Sequence, residues 1–241
     1  MEHQSVFITG ASSGIGRQLA EDYAATGIHV YACGRSEIKL EEVKAGRDNI
    51  TTLSFDVTDI EQVNQAISAL TDPPTLWLVN AGDCEYIDNG ALDAGLIARV
   101  MNVNVNGSVN VLAAIQDRLD ERHHVVVVSS IAGELALPRS EAYGASKAAI
   151  TYLTRTLQLD WQHKGVLVSC VFPGFVKTPL TDKNDFDMPM IVSSEEASVA
   201  IREGIDKRQA TIYFPKKFTS ILRAIAALPY RWQTKIVAKL L

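Results

Sequence analysis

The chain has 241 residues, of which 47% are hydrophobic and 21% charged, and its formal net charge is −5. These values are typical of one α/β domain with a sizeable core, and no apolar run reaches the roughly 18 residues of a membrane span. The start at residues 1–4 leaves no room for a signal peptide, and three scattered cysteines fit neither a disulfide framework nor a zinc site, so we expect a cytoplasmic protein without a metal.

Strand and helix patterns alternate along the chain. Strands are predicted at residues 6–8, 29–33, 50–55, 76–79, 125–128, 166–172 and 211–214. Helices are predicted at residues 15–25, 37–45, 59–70, 93–119, 140–163 and 194–207. The β-branched run at 125–128 is typical of a central parallel strand, and the preceding His123 and His124 are expected to be solvated. This rhythm predicts an α/β doubly wound parallel sheet, the Rossmann fold, over residues 1–214, with 215–241 as a helical tail of the same single domain.

A glycine-rich turn joins the first predicted strand to the first helix. Gly10 allows a tight exit from the strand, and Gly14 and Gly16 lack a Cβ, so a pyrophosphate and the neighbouring strand can come close. The free N–H groups at the start of the helix would face the phosphates. A tight turn without any ligand is the alternative interpretation. The whole turn reads Thr9-Gly10-Ala11-Ser12-Ser13-Gly14-Ile15-Gly16.

A tyrosine and a lysine suggest proton-transfer chemistry. Tyr143 and Lys147 are four residues apart on a predicted helix, so they share a face. A free tyrosine has a pKa near ~10, and a nearby ammonium favours the phenolate and lowers that pKa. Tyr143 would then donate a proton to a carbonyl oxygen, or accept one in the reverse direction. An exposed surface pair is the alternative.

Two serines end the apolar strand that precedes this helix. Ligands of open α/β sheets bind beyond the carboxyl ends of the strands, where the hydroxyl of Ser130 or Ser129 would orient a substrate oxygen. A serine that merely ends a strand is the alternative.

Several motifs occur in one order along most of the chain. They are Thr9-Gly10-x-x-x-Gly14-x-Gly16, Asp56-Val57, Asn80-Ala81-Gly82, Asn104, Ser130, Tyr143-x-x-x-Lys147 and Pro173-Gly174. Together, from Thr9 to about Thr211, they resemble the short-chain dehydrogenase/reductase family. The resemblance implies an oxidoreductase that interconverts a carbonyl and an alcohol with a nicotinamide cofactor. The implied catalytic set is Tyr143, Lys147, Ser130 and Asn104.

The resemblance also implies individual roles. Ser130 is preferred to Ser129 because it lies thirteen residues before Tyr143, Lys147 would hold the nicotinamide ribose, and Asn104 would hold a water in a proton relay. Val79 stands where the family often has a second asparagine, which weakens that motif slightly. The expected cofactor-binding residues are Gly10, Ser12, Ser13, Gly14, Ile15, Gly16, Arg35, Asp56, Val57, Asn80, Ala81, Gly82, Tyr143, Lys147, Pro173, Gly174, Val176 and Thr178.

The end of the second strand bears on the choice of cofactor. NAD-preferring proteins place a carboxylate there, where it binds the ribose 2′-OH. Here that position is Gly34, followed by Arg35, whose guanidinium suits a 2′-phosphate, and by Ser36. We therefore predict NADP(H), and NAD(H) stays open.

The segment 180–192 is expected to be an apolar lid over a lipophilic or aromatic ketone or aldehyde. Its apolar residues include Phe186, Met188, Pro189, Met190 and Ile191. Asp83 and Glu85 would lie at the pocket mouth and discourage anionic substrates, or simply be solvated. Two other functions stay open, an NAD-linked alcohol dehydrogenase working oxidatively and a non-catalytic dinucleotide-binding sensor or scaffold.

Residues 207–241 hold eight of the 23 basic side chains and none of the 28 acidic ones. An apolar stripe at helical spacing accompanies them, and two interpretations stay open: contact with a membrane surface, or packing on the domain or on a second subunit. No motif supports nucleic-acid binding. The resemblance implies a homo-oligomer, dimer or tetramer, formed through the helices at 93–119 and 140–163. The stripe comprises Phe218, Ile221, Leu222, Ile225, Ala226, Leu228, Trp232, Ile236, Val237 and Leu240.

Overall fold

A computed structural model describes residues 4–182, 184 and 186–239. Two positions of the predicted lid, 183 and 185, lie outside the described residues, as does Leu240, the last position of the predicted tail stripe.

Seven parallel strands form one sheet in the order β3-β2-β1-β4-β5-β6-β7. The strands are β1 (Ser5–Thr9), β2 (His29–Gly34), β3 (Ile50–Ser54), β4 (Leu76–Val79), β5 (His124–Val128), β6 (Leu167–Pro173) and β7 (Thr211–Phe214). Alternate residues of β5 enter different cores, since Val126 and Val128 pack on one face and Val125 and Val127 on the other. A sheet buried on both faces is what the continuous valine run predicts, and the doubly wound fold is confirmed.

Helices cover both faces of the sheet. They are α1 (Gly14–Ala25), α2 (Glu37–Lys44), α3 (Ile60–Ser68), α4 (Ala94–Met101), α5 (Gly107–Ile115), α6 (Glu141–Asp160), α7 (Ser194–Asp206), α8 (Lys216–Ala226) and α9 (Tyr230–Val237). Side chains of α1, α2 and α7 pack on one face, and those of α3, α5 and α6 on the other. Among the described residues, no helix is both long and apolar enough to cross a membrane.

The stretch 93–119 is not the one regular helix that its periodicity predicts. A π-helical turn, Asn102–Asn106, separates α4 from α5, and a short 3-10 turn, Gln116–Arg118, ends the stretch. One extra residue in a turn rotates the side chains that follow, and such turns are frequent at functional sites.

The two histidines at the start of β5, His123 just before it and His124 as its first residue, are buried, so their predicted solvation is wrong. His124 lies in the strand, with its Nε2 2.7 Å from Ser169 Oγ. His123 Nδ1 lies 2.8 Å from Asp120 Oδ1. Hydrogen-bond partners make burial of polar rings tolerable, and a neighbouring strand and turn supply them here.

Candidate active site

A cavity of about 600 Å³ opens at the carboxyl edge of the sheet. All the sequence-predicted cofactor residues line it except Gly16. Parallel strands place their carboxyl ends at one edge, which brings together turns that are far apart in the chain. The volume lies in the range of cofactor sites.

The glycines of the turn leave open a space that side chains would otherwise fill. Gly10 and Gly14 have positive φ of +69° and +55°, a conformation that favours glycine. A Cβ on Gly14 would lie 3.0 Å from Thr178 Cγ2, and one on Gly16 would lie 2.3 Å from the Gly10 carbonyl oxygen. The Ser13 side chain does not cap α1, so its first N–H groups stay available. This turn fits a pyrophosphate at a helix N-terminus.

Asn80 holds two strand ends together. Its amide nitrogen donates to the Thr9 carbonyl at 3.0 Å, while its backbone N–H donates to Thr9 Oγ1 at 2.9 Å. The backbone at the adenine-ribose side is therefore tied down without the second asparagine that Val79 replaces.

Two basic residues lie at the far end of the cavity. Arg35 lines it beside Gly34, and Lys39, which the sequence reasoning missed, lines it as well. Ser36 caps α2 by accepting from the Lys39 backbone N–H. The spacing of Arg35 and Lys39 across a helix start is the signal that would have revealed the second cation.

The catalytic candidates meet where β5 ends. Lys147 is buried, and its Nζ donates to the Val128 carbonyl at 2.9 Å and lies 5.7 Å from the centre of the Tyr143 ring. Ser130 favours the ionised form of the Tyr143 hydroxyl, and its Oγ accepts from the Ala132 N–H at 3.2 Å. Ser129 points elsewhere, donating to the Lys147 carbonyl at 3.0 Å.

Burial dominates the ionisation of this pair. It raises the pKa of Tyr143 above its usual value, while the hydrogen bond from Ser130 lowers it. It also lowers the pKa of Lys147 to about 8. The expected lowering of the Tyr143 pKa is therefore not found, because removing the phenolate from water outweighs the contribution of Ser130. Tyr143 keeps its proton at neutral pH.

Asn104 lies in the π-helical turn and is buried. Its amide nitrogen donates to the Asp83 carbonyl at 2.9 Å and to Ser146 Oγ at 2.8 Å, and its oxygen accepts from the Asp83 N–H at 2.7 Å. Ser146, which the sequence reasoning missed, donates in turn to the Tyr143 carbonyl at 2.7 Å. These contacts give Asn104 a positioning role, and the relay water stays a prediction.

Aromatic rings lie in a row that starts beside Tyr143. Tyr86 meets Phe186 edge-on at 5.5 Å, Phe186 lies 6.0 Å from Phe175, and Phe175 lies 5.4 Å from Phe218 of α8. The Arg139 guanidinium lies over the Tyr86 ring at 5.5 Å. Four separate segments thus build one wall of rings, the aromatic wall.

The two acidic residues expected at the pocket mouth have different surroundings. Asp83 lines the cavity, whereas Glu85 pairs with Arg99 at 2.8 Å. Among the described residues, no cluster of His, Cys, Asp and Glu could hold a metal ion.

The fold and the site define a dehydrogenase/reductase that depends on a nicotinamide dinucleotide. The sequence model of the family described as short chain dehydrogenase matches residues 4–188. An uncharacterized oxidoreductase of Myxococcus xanthus is 33% identical over 95% of this chain and 94% of its own length. The chain therefore belongs to the short-chain dehydrogenase/reductase family.

Two further relatives share most of the chain. A sulfoacetaldehyde reductase of Chromohalobacter salexigens is 35% identical over 73% of this chain and 74% of its own length. The crystal structure of a short chain dehydrogenase from Burkholderia cenocepacia in complex with NADP matches with a TM-score of 0.86 and 28% identity. It covers 100% of this chain and 98% of that one.

Proposed function

We propose that this protein is an NADP(H)-dependent carbonyl reductase for lipophilic or aromatic ketones and aldehydes. The observation that carries the proposal is the cavity itself, which is lined by Arg35 and Lys39 at one end and by Tyr143 and Lys147 at the other.

The basic end of the cavity supports NADP(H). No side chain can extend from Gly34, the position where a carboxylate would repel a 2′-phosphate. Arg35 supplies a planar fork and Lys39 a second positive charge within reach of the same space. The NADP complex of the Burkholderia relative agrees with this choice.

Reduction suits the ionisation of the site. The reduced nicotinamide supplies a hydride to the carbonyl carbon. Tyr143, which burial keeps protonated, donates its proton to the carbonyl oxygen, and Ser130 orients that oxygen through its hydroxyl. The Lys147 ammonium donates to the Val128 carbonyl and would bind the nicotinamide ribose. Oxidation would need the phenolate, which burial disfavours.

The aromatic wall supports an apolar substrate. Tyr86 and Phe186 offer ring faces and edges that bind apolar or aromatic groups. The Chromohalobacter relative is a sulfoacetaldehyde reductase, so a small anionic aldehyde is the contrasting substrate class. A panel that compares benzaldehyde with sulfoacetaldehyde decides between them, and a higher kcat/KM for sulfoacetaldehyde would refute the apolar proposal.

Calorimetric titration with NADP⁺ and NAD⁺ tests the cofactor. Arg35→Ala should weaken NADP⁺ binding by about 1.5–3 kcal/mol, the range of a charge-assisted hydrogen bond, and leave NAD⁺ binding unchanged. Lys39→Ala should act in the same direction, and Lys44→Ala, on the same helix but off the cavity, is the matched control. If NAD⁺ binds as well as NADP⁺ in the wild type, an NAD-linked oxidative dehydrogenase becomes the better proposal.

The exposed face of α6 supports a homo-oligomer. Tyr152 and Leu159, seven residues apart on this helix, are both exposed, and large exposed apolar side chains on one face mark interaction sites. Analytical ultracentrifugation should give a dimer or tetramer for the wild type and a smaller species for Leu159→Lys. A monomeric wild type would refute this assignment.

A further inference from the structure

The C-terminal helices α8 and α9 have an inner face that packs on the domain. Leu222 and Val237 are buried with Ile131 and Leu135, which follow the catalytic strand β5. Phe218 lies so close to Gly174 that a Cβ there would meet its ring at 2.7 Å. Much of the apolar stripe is therefore used within the chain, and the tail forms part of the folded domain.

The outer face keeps large apolar side chains in solvent. Ile221 is 47% exposed, Leu228 39%, Tyr230 71% and Trp232 49%. Single exposed apolar residues are ordinary, but four within twelve positions indicate an interaction surface. Gln233 fixes the two helices to one another, since its amide donates to the Ala226 and Leu228 carbonyls at 2.9 and 2.8 Å. The exposed side chains thus belong to one rigid unit.

Basic side chains surround these apolar ones. The exposed cations of the two helices are Lys216, Lys217, Arg223, Arg231, Lys235 and Lys239. Within the described part of the chain, none of the six forms an ion pair. Arg231 and Lys235 flank the Trp232 ring at 5.8 and 5.5 Å from its centre. Arg223 differs from these two, because it stacks on the ring of Tyr213 at 4.2 Å, on the packed side of the tail. Around Trp232 the surface combines positive charge that no acidic residue of the described chain compensates with an amphipathic tryptophan.

The charges distinguish between the candidate occupants. A second copy docked on this patch about a two-fold axis would bring Arg231 and Lys235 against the same cations of the other copy, and like-charge contact opposes such docking. An anionic lipid surface complements the cations, while the aromatic and aliphatic side chains enter the boundary between headgroups and acyl chains. The rest of the chain carries all 28 acidic residues, so repulsion would turn it away from the same surface.

We propose that the outer face of α8 and α9 docks this enzyme on an anionic membrane surface, with Trp232 inserted at the headgroup level and the flanking Arg231 and Lys235 on the lipid phosphates. The docked helices also carry Phe218, whose ring lies 5.4 Å from Phe175 in the aromatic wall. The membrane side of the protein is thus continuous with the side proposed to receive lipophilic substrate.

Tryptophan fluorescence of the full-length protein tests this docking directly. The chain has three tryptophans, and Trp77 and Trp161 are buried, so Trp232 alone should report a change of environment at the surface. Vesicles of phosphatidylcholine with about one third phosphatidylglycerol should shift its emission to the blue and co-sediment the protein. Vesicles of phosphatidylcholine alone should do neither.

Charge reversal supplies the decisive variant. Arg231→Glu with Lys235→Glu should lower the partition coefficient on anionic vesicles by more than about tenfold, because each basic residue near the surface contributes about 1 kcal/mol. The matched control reverses Lys44 and Lys164, which precede β3 and β6 at the amino edge of the sheet, and should bind as the wild type does. Thermal melts by circular dichroism establish that both variants are folded. These variants are preferable to truncation, which would remove Phe218 from the domain.

Three results would overturn the proposal. They are equal partitioning of the two double variants, an equal blue shift on neutral vesicles, and an oligomer in solution that Arg231→Glu with Lys235→Glu dissociates, which would assign the patch to a second copy. None of these readouts uses the enzymatic reaction, so failure of the docking proposal is distinct from failure of the proposed activity.

Discussion

The cofactor cavity and the aromatic wall are built from different parts of the protein. The cavity, the proposed cofactor side, is lined by backbone and short side chains where strands end, such as Gly10, Gly34 and Asn80. The aromatic wall, the proposed substrate side, lies outside that lining and consists of large rings, Tyr86 and Phe186 among them, from segments that are far apart in the chain. Local main-chain geometry would thus recognise the cofactor, whereas tertiary packing would recognise the particular substrate.

Substitutions in these places should therefore have different effects. Changes at strand ends should alter cofactor binding or stability, and changes in the aromatic wall should alter the substrate KM. Removal of the Tyr143 hydroxyl should alter kcat alone.

The largest effect is expected for Tyr143→Phe. Without the hydroxyl no proton reaches the carbonyl oxygen, and kcat should fall at least about 100-fold. Steady-state kinetics with NADPH and a carbonyl substrate measure this, while calorimetry should give an unchanged dissociation constant for NADP⁺. A parallel loss of cofactor affinity would mean that Tyr143 belongs to the cofactor side.

Gly16→Ala should damage the cofactor side through the backbone. The new Cβ would lie 2.3 Å from the Gly10 carbonyl oxygen, so the turn must shift, at a cost of about 1–3 kcal/mol in the free energy of unfolding. Urea unfolding and NADP⁺ titration should both detect it. Gly95→Ala in α4 is the control, because its Cβ would approach only the side chains of Asp93 and Arg99. Equal stability of the two variants would contradict the close packing of the turn.

Phe186→Ala should affect the substrate side alone. Loss of the ring contacts with Tyr86 and Phe175 should raise KM for an aromatic aldehyde by about tenfold. The affinity for NADP⁺ should not change, and Met190→Ala, at an exposed position of the same segment, should leave both values near wild type. An equal effect on cofactor affinity would show that the two sides are not separable.

The smallest effect is expected from pH. Lys147, with its pKa lowered to about 8, should lose its proton as pH rises through that value, and NADP⁺ affinity should weaken a few fold. Lys147→Met should remove this dependence, and Arg35→Ala should retain it. Because an unfolded lysine titrates near ~10.4, the unfolded chain binds more protons between the two pKa values, so the free energy of unfolding should rise with pH across that window. A flat binding profile from pH 7 to about 9 would contradict the role of the ammonium.

The sequence predicted the order of strands and helices better than it predicted the irregular turn within a helix or the burial of a polar side chain. The order of strands and helices followed from periodicity, and the ends of the tail helices from Pro229. The π-helical turn at Asn104 was not predictable, because it depends on contacts with Asp83 and Ser146 in other segments. Burial of His124 was missed for the same reason, since its partner Ser169 lies on the neighbouring strand.

Within the site, the motif residues could be placed on strand ends and on one helix face from spacing alone. Lys39 was missed although it stands four residues after Arg35. The direction of the Tyr143 pKa shift was predicted incorrectly, because a helix pattern shows which groups share a face and not how much water surrounds them.

Patterns of residues close together in the chain predicted the alternating fold, the glycine turn, the spacing of Tyr143 and Lys147 and the basic character of the tail. The raised pKa of Tyr143, the aromatic wall built by four segments and the burial of one face of the tail became visible in the folded chain alone. Desolvation and packing depend on all the surrounding segments, because neighbours in space are distant in sequence.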